Sequence, residues 1–336
     1  LIAMSSYKRL VEKFIDAIRQ LEGAYSLVGL SGKKMIGARD PLGIRPLVLG
    51  KLDGAYILAS ETCAFDIIGA SYVRDVEPGE VLVITDEGLE SHFPFGRGNS
   101  RFCIFEYVYF ARPDSNLDGR NVYEVRKKIG EELANESPVE ADMVVPVPDS
   151  GTPAAIGFAQ GANLPFDLGI IRNHYVGRTF IQPTAAIRHM GVKLKHNANR
   201  HAIEGKRVVL VDDSIVRGTT SQKIVQMVRD AGAKEVHMRI ASPPTAASCF
   251  YGVDTPEASK LLASRMSVEE MQDYIQVDSL AFLTIDGLYR AVSEPRRNNH
   301  CPQYCDACFT GEYPTTLTDR DGTDATRTLS LIAKHG

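Results

Sequence analysis

The chain has 336 residues, 44% hydrophobic and 24% charged, with 38 Lys and Arg against 42 Asp and Glu for a formal net charge of −4. That is enough apolar material for two domains with ample core, and the mixed charge signs argue against a nucleic-acid-binding body. No apolar run reaches membrane-spanning length, and six cysteines without a secretory signal do not suggest a disulfide scaffold, so the chain reads as soluble and cytoplasmic.

The opening Leu1-Ile2-Ala3-Met4 reads like the middle of a helix, and its lack of an initiating Met predicts a piece of a longer protein. Short strands are predicted at Ala24–Leu30, Met35–Arg39, Leu47–Gly50, Ala55–Ala59 and Val81–Ile84, separated by Gly, Asp and Pro turns, so the first 97 residues form a layered β structure. Phe93 to Ser100, rich in Gly, Pro and Arg, is the linker candidate. From about residue 121 helix and strand alternate. Helices are predicted at Val122–Leu133 and Pro153–Ala162, and strands at Met143–Val145, Leu168–Ile171, Val208–Val211 and Glu235–Ala241, a pattern that implies a parallel sheet covered by helices. The tail beyond Leu317 is polar and predicted to be partly disordered.

The chemistry concentrates where two of these strands end. Val208–Val211 runs into Asp212-Asp213, then into the small-residue loop Ser214-Ile215-Val216-Arg217-Gly218-Thr219-Thr220, which opens a helix carrying Ile224, Val225, Met227, Val228 and Ala231 and closed by Gly232. Backbone N–H groups and hydroxyls at a helix N-terminus seat a phosphate, and ligands bind at the carboxyl ends of such strands. Two carboxylates beside a phosphate need another task, such as accepting hydrogen bonds from a sugar diol or holding a divalent metal. A phosphorylated ribose satisfies both halves. A second loop, Pro148-Asp149-Ser150-Gly151-Thr152, also precedes a helix and would hold a second phosphate group, although such turns often only cap helices. Between the loops lies a basic segment with Arg172, His174, Tyr175, Arg178 and Lys193, suited to neutralising a departing diphosphate and closing over it; the bland alternative is a solvated surface loop. His196 and His201 are expected to be solvated.

Cys305-x-x-Cys308 with Cys301, Cys103 and Cys249 suggests a four-thiolate iron–sulfur or zinc site, against the alternative of scattered buried thiols. Cys63 reads as a core thiol.

The stretch Val211 to Thr220 closely resembles the phosphoribosyl-pyrophosphate motif of type I phosphoribosyltransferases. Together with Ala38–Leu47, Phe105–Ser115 and Asn173–Ile181, it makes residues 20 to 315 resemble the amidophosphoribosyltransferase family. The resemblance implies an α/β type I phosphoribosyltransferase fold, a parallel sheet flanked by helices, preceded by the C-terminal part of an αββα N-terminal-nucleophile glutaminase domain. Its expected divisions are 1–97 for the partial glutaminase domain, 98–120 for the linker and start of the second domain, 121–296 for the transferase domain, 297–318 for a cysteine-bearing segment and 319–336 for the tail.

The implied reaction transfers ammonia, derived from glutamine, to C1 of 5-phosphoribosyl 1-diphosphate, giving 5-phosphoribosylamine, diphosphate and glutamate as the first step of purine synthesis. The roles implied are catalysis by Asp212, Asp213 and Arg178, and Mg²⁺ binding through Ser150, Asp212 and Asp213. Substrate binding would fall to Ser150, Gly151, Thr152, Arg172, Tyr175, Lys193, Ser214, Arg217, Gly218, Thr219 and Thr220. A structural [4Fe–4S] cluster would sit on Cys103, Cys249, Cys305 and Cys308, with Cys301 the spare. Feedback by purine nucleotides and a homotetramer are also implied. One departure stands out: position 1 is Leu, where the glutaminase half would need an N-terminal Cys upstream, so glutamine-dependent activity is not expected of this sequence as it stands, and a cut β sandwich would expose strand edges prone to aggregation. The competing readings are a nucleobase-salvage transferase, disfavoured by the β-rich first half and the cysteine set, and a phosphoribosyl-pyrophosphate-sensing regulator, disfavoured because no DNA-binding helical module is evident.

Overall fold

A computed structural model describes residues 1–173, 175 and 196–317. Near the start, helix α1 (Leu10–Ile18) places Val11, Phe14, Ile15 and Ile18 on one face, the i, i+3, i+4, i+7 spacing that gives a helix an apolar stripe. That stripe packs on Ile36, Ala38, Val81 and Val83. These residues belong to an antiparallel sheet of β1 (Ser26–Ser31), β2 (Lys34–Arg39), β6 (Val81–Thr85) and β7 (Gly88–His92), in that order. Leu82 and Ile84 point to the other face and meet Leu47, Leu49 and Val76 of a second antiparallel sheet, in which β3 (Val48–Leu52) lies between β4 (Ala55–Ala59) and β5 (Ser71–Asp75). Because β6 is buried on both faces, it reads as a continuous apolar run rather than an alternating one. Helix α2 (Cys63–Ile68) buries Cys63, as expected of a core thiol.

Two readings of this half need correction. The chain does not open in mid-helix: Ile2–Met4 form a single 3₁₀ turn, and the helix begins at Leu10. Strands β5 and β7 were not anticipated, since neither shows apolar alternation. β1 lies at a sheet edge with Val28 55% and Leu30 84% exposed, a row open to pairing with another chain.

The first half is tied to the second by backbone bonds from Arg101 N to Leu42 O (2.7 Å) and Cys103 N to Ile44 O (3.1 Å), and Ile44 is buried in the same core as Phe102 and Tyr107. Just beyond, a π-helical turn, Glu106–Phe110, buries the Glu106 carboxylate 3.0 Å from the Arg45 guanidinium. Burial raises the Glu106 carboxyl from 4.5 to about 7, with Glu61 adding to the shift and Arg45 opposing it. An unfolded chain loses this proton near 4.5 while the folded one keeps it to about 7, so folded protein binds more protons across that window and stability falls as pH rises through it. Urea midpoints of the wild type and Glu106→Gln are therefore expected to diverge between pH 4.5 and 7, increasingly in favour of the amide; parallel curves would contradict the assignment.

In the second half, β11 (Met143–Pro146), β14 (Arg207–Asp212), β15 (Glu235–Ile240) and β16 (Ser279–Phe282) form a parallel sheet in that order. Alternate residues face opposite sides. Val144, Val209 and Val211 pack with α3 (Val122–Glu136) and α4 (Thr152–Ala162); Met143, Val145, Val208 and Leu210 pack with α6 (Thr219–Asp230) and α7 (Val268–Ile275), which follow the short α5 (Arg200–Ile203). The run Leu168–Ile171 does not join this sheet. Among the described residues only Phe166 of this segment bridges β11, at Val144, and the ladder stops there because Gly169 N donates back to Asp167 O (3.0 Å) and not to β11. The strand β12 (Ile170–Arg172) instead pairs antiparallel with β13 (His196–Ala198). β16 was not anticipated. Among the described residues no helix is long and apolar enough to cross a membrane.

Candidate functional site

Two loops leave the carboxyl ends of the adjacent parallel strands β11 and β14 and touch each other. Val147 N donates to Val211 O (2.9 Å), and a Cβ on Gly151 would lie 2.5 Å from Val211 O and 3.2 Å from the Asp212 Cα. Glycine is what lets the first loop lie against the second. Gly151 then caps α4, with Pro153 in its first turn, and Gly218, at φ 73°, caps α6. With glycine at both caps neither cap offers a side chain, which suits the start of α6 to an anion. At α4 Thr152 N already donates to Asp149 O (3.2 Å) and Pro153 has no N–H, so the Ser150 and Thr152 hydroxyls are the donors that end presents.

Between these termini sit Asp212 and Asp213, only 8% and 6% exposed. Asp213 N donates to Asp212 Oδ1 (2.9 Å), and Ser214 Oγ donates to Asp213 Oδ2 (2.6 Å), which fixes the carboxylates at the strand end. Burial, and then the neighbouring Asp213, push the Asp212 carboxyl well above the usual range. Two buried acids side by side favour a ligand that brings hydroxyl donors or a cation. Arg126, which sequence reasoning missed, lies buried near enough for Asp213 to act on its charge and donates to the carbonyls of Tyr107 (2.8 Å) and Ala111 (2.7 Å). It is one polar position on an amphipathic helix, and only its burial marks it.

The structure brings Ser150, Gly151, Thr152, Asp212, Asp213, Ser214 and Gly218 together at these strand ends, with Arg217 exposed on the second loop and Thr219 and Thr220 exposed in the first turn of α6. Arg172, at the end of β12, forms an ion pair with Asp149 of the first loop. Across the β12–β13 pair, His196 places Nε2 3.4 Å from Pro148 O. His196 is 8% exposed, so the expectation of a solvated ring is wrong; pairing with Arg172 draws it onto the loop, whereas His201 is exposed as expected. Tyr175 is 99% exposed, its N–H bonded to Asn173 Oδ1 (3.0 Å). His174, Arg178 and Lys193 lie outside the described residues.

A second feature lies beside the loops. Strand β8 (Phe102–Cys103) pairs in parallel with β17 (Tyr304–Cys305), which sets Cys103 opposite Cys305. Both line one cavity with Cys249, with Cys308 of the short helix α9 (Ala307–Thr310), and with Val216 of the second loop. Cys301 is exposed and is not among the lining residues. Cys249 Sγ accepts from Tyr251 N (3.3 Å). Burial, reinforced by the neighbouring thiols, pushes Cys103 and Cys308 well up and Cys305 to about 12. Among the described residues no three His, Cys, Asp or Glu side chains group tightly enough to hold a metal ion, so the four thiols share a cavity and not a point.

A family model described as "Phosphoribosyl transferase domain" matches residues 117–242, which include both loops. A curated relative from Rhizobium etli, named amidophosphoribosyltransferase, is 60% identical over all of this chain and 69% of its own length. The chain belongs to the amidophosphoribosyltransferase family. A chloroplastic amidophosphoribosyltransferase of Glycine max is 54% identical over 94% of this chain and 54% of its own length. The Bacillus subtilis glutamine phosphoribosylpyrophosphate amidotransferase, solved in complex with ADP and GMP, is 51% identical and superposes with a TM-score of 0.89, covering 95% of this chain and 70% of that one. The chain thus spans between about half and 70% of the length of these amidophosphoribosyltransferases.

Proposed function

We propose that this chain carries the transferase half of an amidophosphoribosyltransferase, displacing diphosphate from C1 of 5-phosphoribosyl 1-diphosphate with ammonia to give 5-phosphoribosylamine, the opening step of purine synthesis. In the whole protein glutamine would supply the ammonia. The observation that carries the reading is the pair of glycine-capped helix termini, locked together through Gly151 with the buried Asp212–Asp213 pair between them. A sugar with phosphate at both ends and a diol in the middle has this pattern.

On this reading the N–H groups at the start of α6, with Ser214, Thr219 and Thr220, hold the 5-phosphate. Ser150, Gly151 and Thr152 at the start of α4 hold the diphosphate. Asp212 and Asp213 accept hydrogen bonds from the ribose hydroxyls and stabilise the positive charge that develops on the ring as the C1–O bond breaks and the ammonia nitrogen bonds to C1. Arg172, already paired with Asp149 of the diphosphate loop, is placed to neutralise the leaving group, with Arg178, Lys193 and Tyr175 of the following segment as further contributors. The two carboxylates and the Ser150 hydroxyl are oxygen donors of the kind Mg²⁺ accepts; this ion takes one or two carboxylates and completes its shell with water and substrate phosphate, and when bound it would draw charge from the leaving diphosphate.

The thiol cavity fits a [4Fe–4S] cluster on Cys103, Cys249, Cys305 and Cys308. Four sulfurs around a cavity suit a group several atoms across, and the Tyr251 N–H on Cys249 is the kind of donor such sulfurs accept. When bound, the cluster would cross-link β8, the Cys249 segment and the β17–α9 turn. Purine nucleotides are proposed as feedback inhibitors, supported by the ADP and GMP of the Bacillus subtilis complex, and the whole protein as a cytoplasmic homotetramer.

The test is diphosphate release from phosphoribosyl pyrophosphate and Mg²⁺ with ammonium, glutamine or a free nucleobase as donor. Release with ammonium is expected. Release with a nucleobase alone would favour a salvage enzyme, and binding without release would favour a sensor.

A further inference from the structure

One polar atom in the thiol cavity has no task. Thr245 follows β15 through Ala241-Ser242-Pro243-Pro244 and is 2% exposed, and its Oγ1 is buried with no hydrogen-bond partner among the described residues. Buried hydroxyls in folded proteins are nearly always bonded, so an orphan of this kind needs an explanation. Thr245 lines the same cavity as Cys103, Cys249, Cys305 and Cys308. Its position there is held from the next residues, because Ala246 N and Ala247 N both donate to the Cys308 carbonyl at 3.0 Å. The other threonine of the lining, Thr255, is already engaged, its Oγ1 accepting from Cys249 N at 2.6 Å.

We infer that Thr245 donates its hydroxyl hydrogen to a sulfur of the iron–sulfur group seated on these four cysteines, and so holds the reduction potential of that group up. The inference rests on the cluster reading above. A hydrogen bond to a cluster sulfur draws electron density from it and stabilises the form carrying the extra electron, which is one of the levers a protein has on such a potential. Thr245 is therefore a positioning and tuning residue, not a ligand or a catalytic group. Removing its hydroxyl leaves every thiolate in place.

The experiment uses anaerobically prepared wild-type chain, Thr245→Val and Thr245→Ser. Iron and sulfide content are measured first, and then the cluster potential by protein-film voltammetry. The expected result is equal iron in all three proteins, a Val variant whose cluster is about tenfold harder to reduce, ~59 mV lower for one electron, and a Ser variant at the wild-type value. Equal potentials in wild type and Val variant, with iron present in both, would overturn the role of Thr245 and leave the cluster reading standing. Iron-free wild type would overturn both. If only the Val variant lost its iron, the Ser variant decides: wild-type iron and potential uphold the hydroxyl's role, and loss of the cluster from it as well overturns that role.

Discussion

Replacing Asp213 by Asn is expected to slow ammonia-dependent diphosphate release by about 10²–10³-fold while leaving the fold intact. The amide oxygen can still accept the Ser214 hydroxyl hydrogen, 2.6 Å away in the wild type, so the loop keeps its shape. What disappears is the charge. Asp213 lies 6% exposed beside Asp212, and that enclosure makes its carboxylate effective against positive charge developing on a sugar ring, since water does not screen it. Stability should not fall. Burial and the neighbouring Asp213 hold the Asp212 carboxyl well above its usual range, and removing one charge of the pair relieves part of that strain. A thermal midpoint equal to or above the wild-type value, with kcat down and KM for phosphoribosyl pyrophosphate little changed, would place the loss in the transition state. Release within a few-fold of wild type would show that the acidic pair is not where the sugar reacts.

That loop was legible because its signals are local. An apolar run, two acids and small residues before a helical period lie consecutively in the chain, and the structure puts β14, the loop and α6 where those residues predict. Features that depend on distant partners were not legible. The burial of His196 follows from its pairing with Arg172 across more than twenty residues, and the separation of Cys301 from the other cysteines follows from the β8–β17 pairing. Spacing alone leaves Cys301, Cys305 and Cys308 equivalent. β12 was misplaced for a related reason: apolar content says that Leu168–Ile171 is extended, but not which strand it pairs with, and its partner, His196–Ala198, lies more than twenty residues away. Thr245 and Arg126 are single polar residues whose meaning comes from burial. The first half was read correctly as layered β structure, yet β5 and β7 escaped because their residues carry no period-2 apolar signal.

The crossing of α3 and α4 was equally hidden, and alanine at Gly157 is expected to lower stability by about 3 kcal/mol or more, the upper end for overpacking. Glycine inside a helix ordinarily costs roughly 1 kcal/mol relative to alanine, so the naive expectation has the opposite sign. Here a Cβ on Gly157 would overlap the Lys127 carbonyl oxygen, and one on Gly130 would overlap the Ala154 carbonyl oxygen. Each helix uses its glycine to receive the backbone of the other, so backbone would have to move, not a flexible side chain. Gly161→Ala, one turn further along α4, is the control: its Cβ would sit 3.1 Å from the Ala134 Cβ, a fit that a few tenths of an ångström relieve, and its expected effect is within about 1 kcal/mol of neutral. Because both glycines serve one crossing, Gly130→Ala with Gly157→Ala should cost less than the sum of the two. Urea unfolding of the four variants measures this. The same displacement reaches the site, since Thr152 opens α4 and Gly151 before it lies against Val211 and Asp212. Gly157→Ala protein that remains folded should therefore bind phosphoribosyl pyrophosphate more weakly, while Gly161→Ala should not; equal affinity in the two would mean that the diphosphate loop is held by β11 and β14 alone.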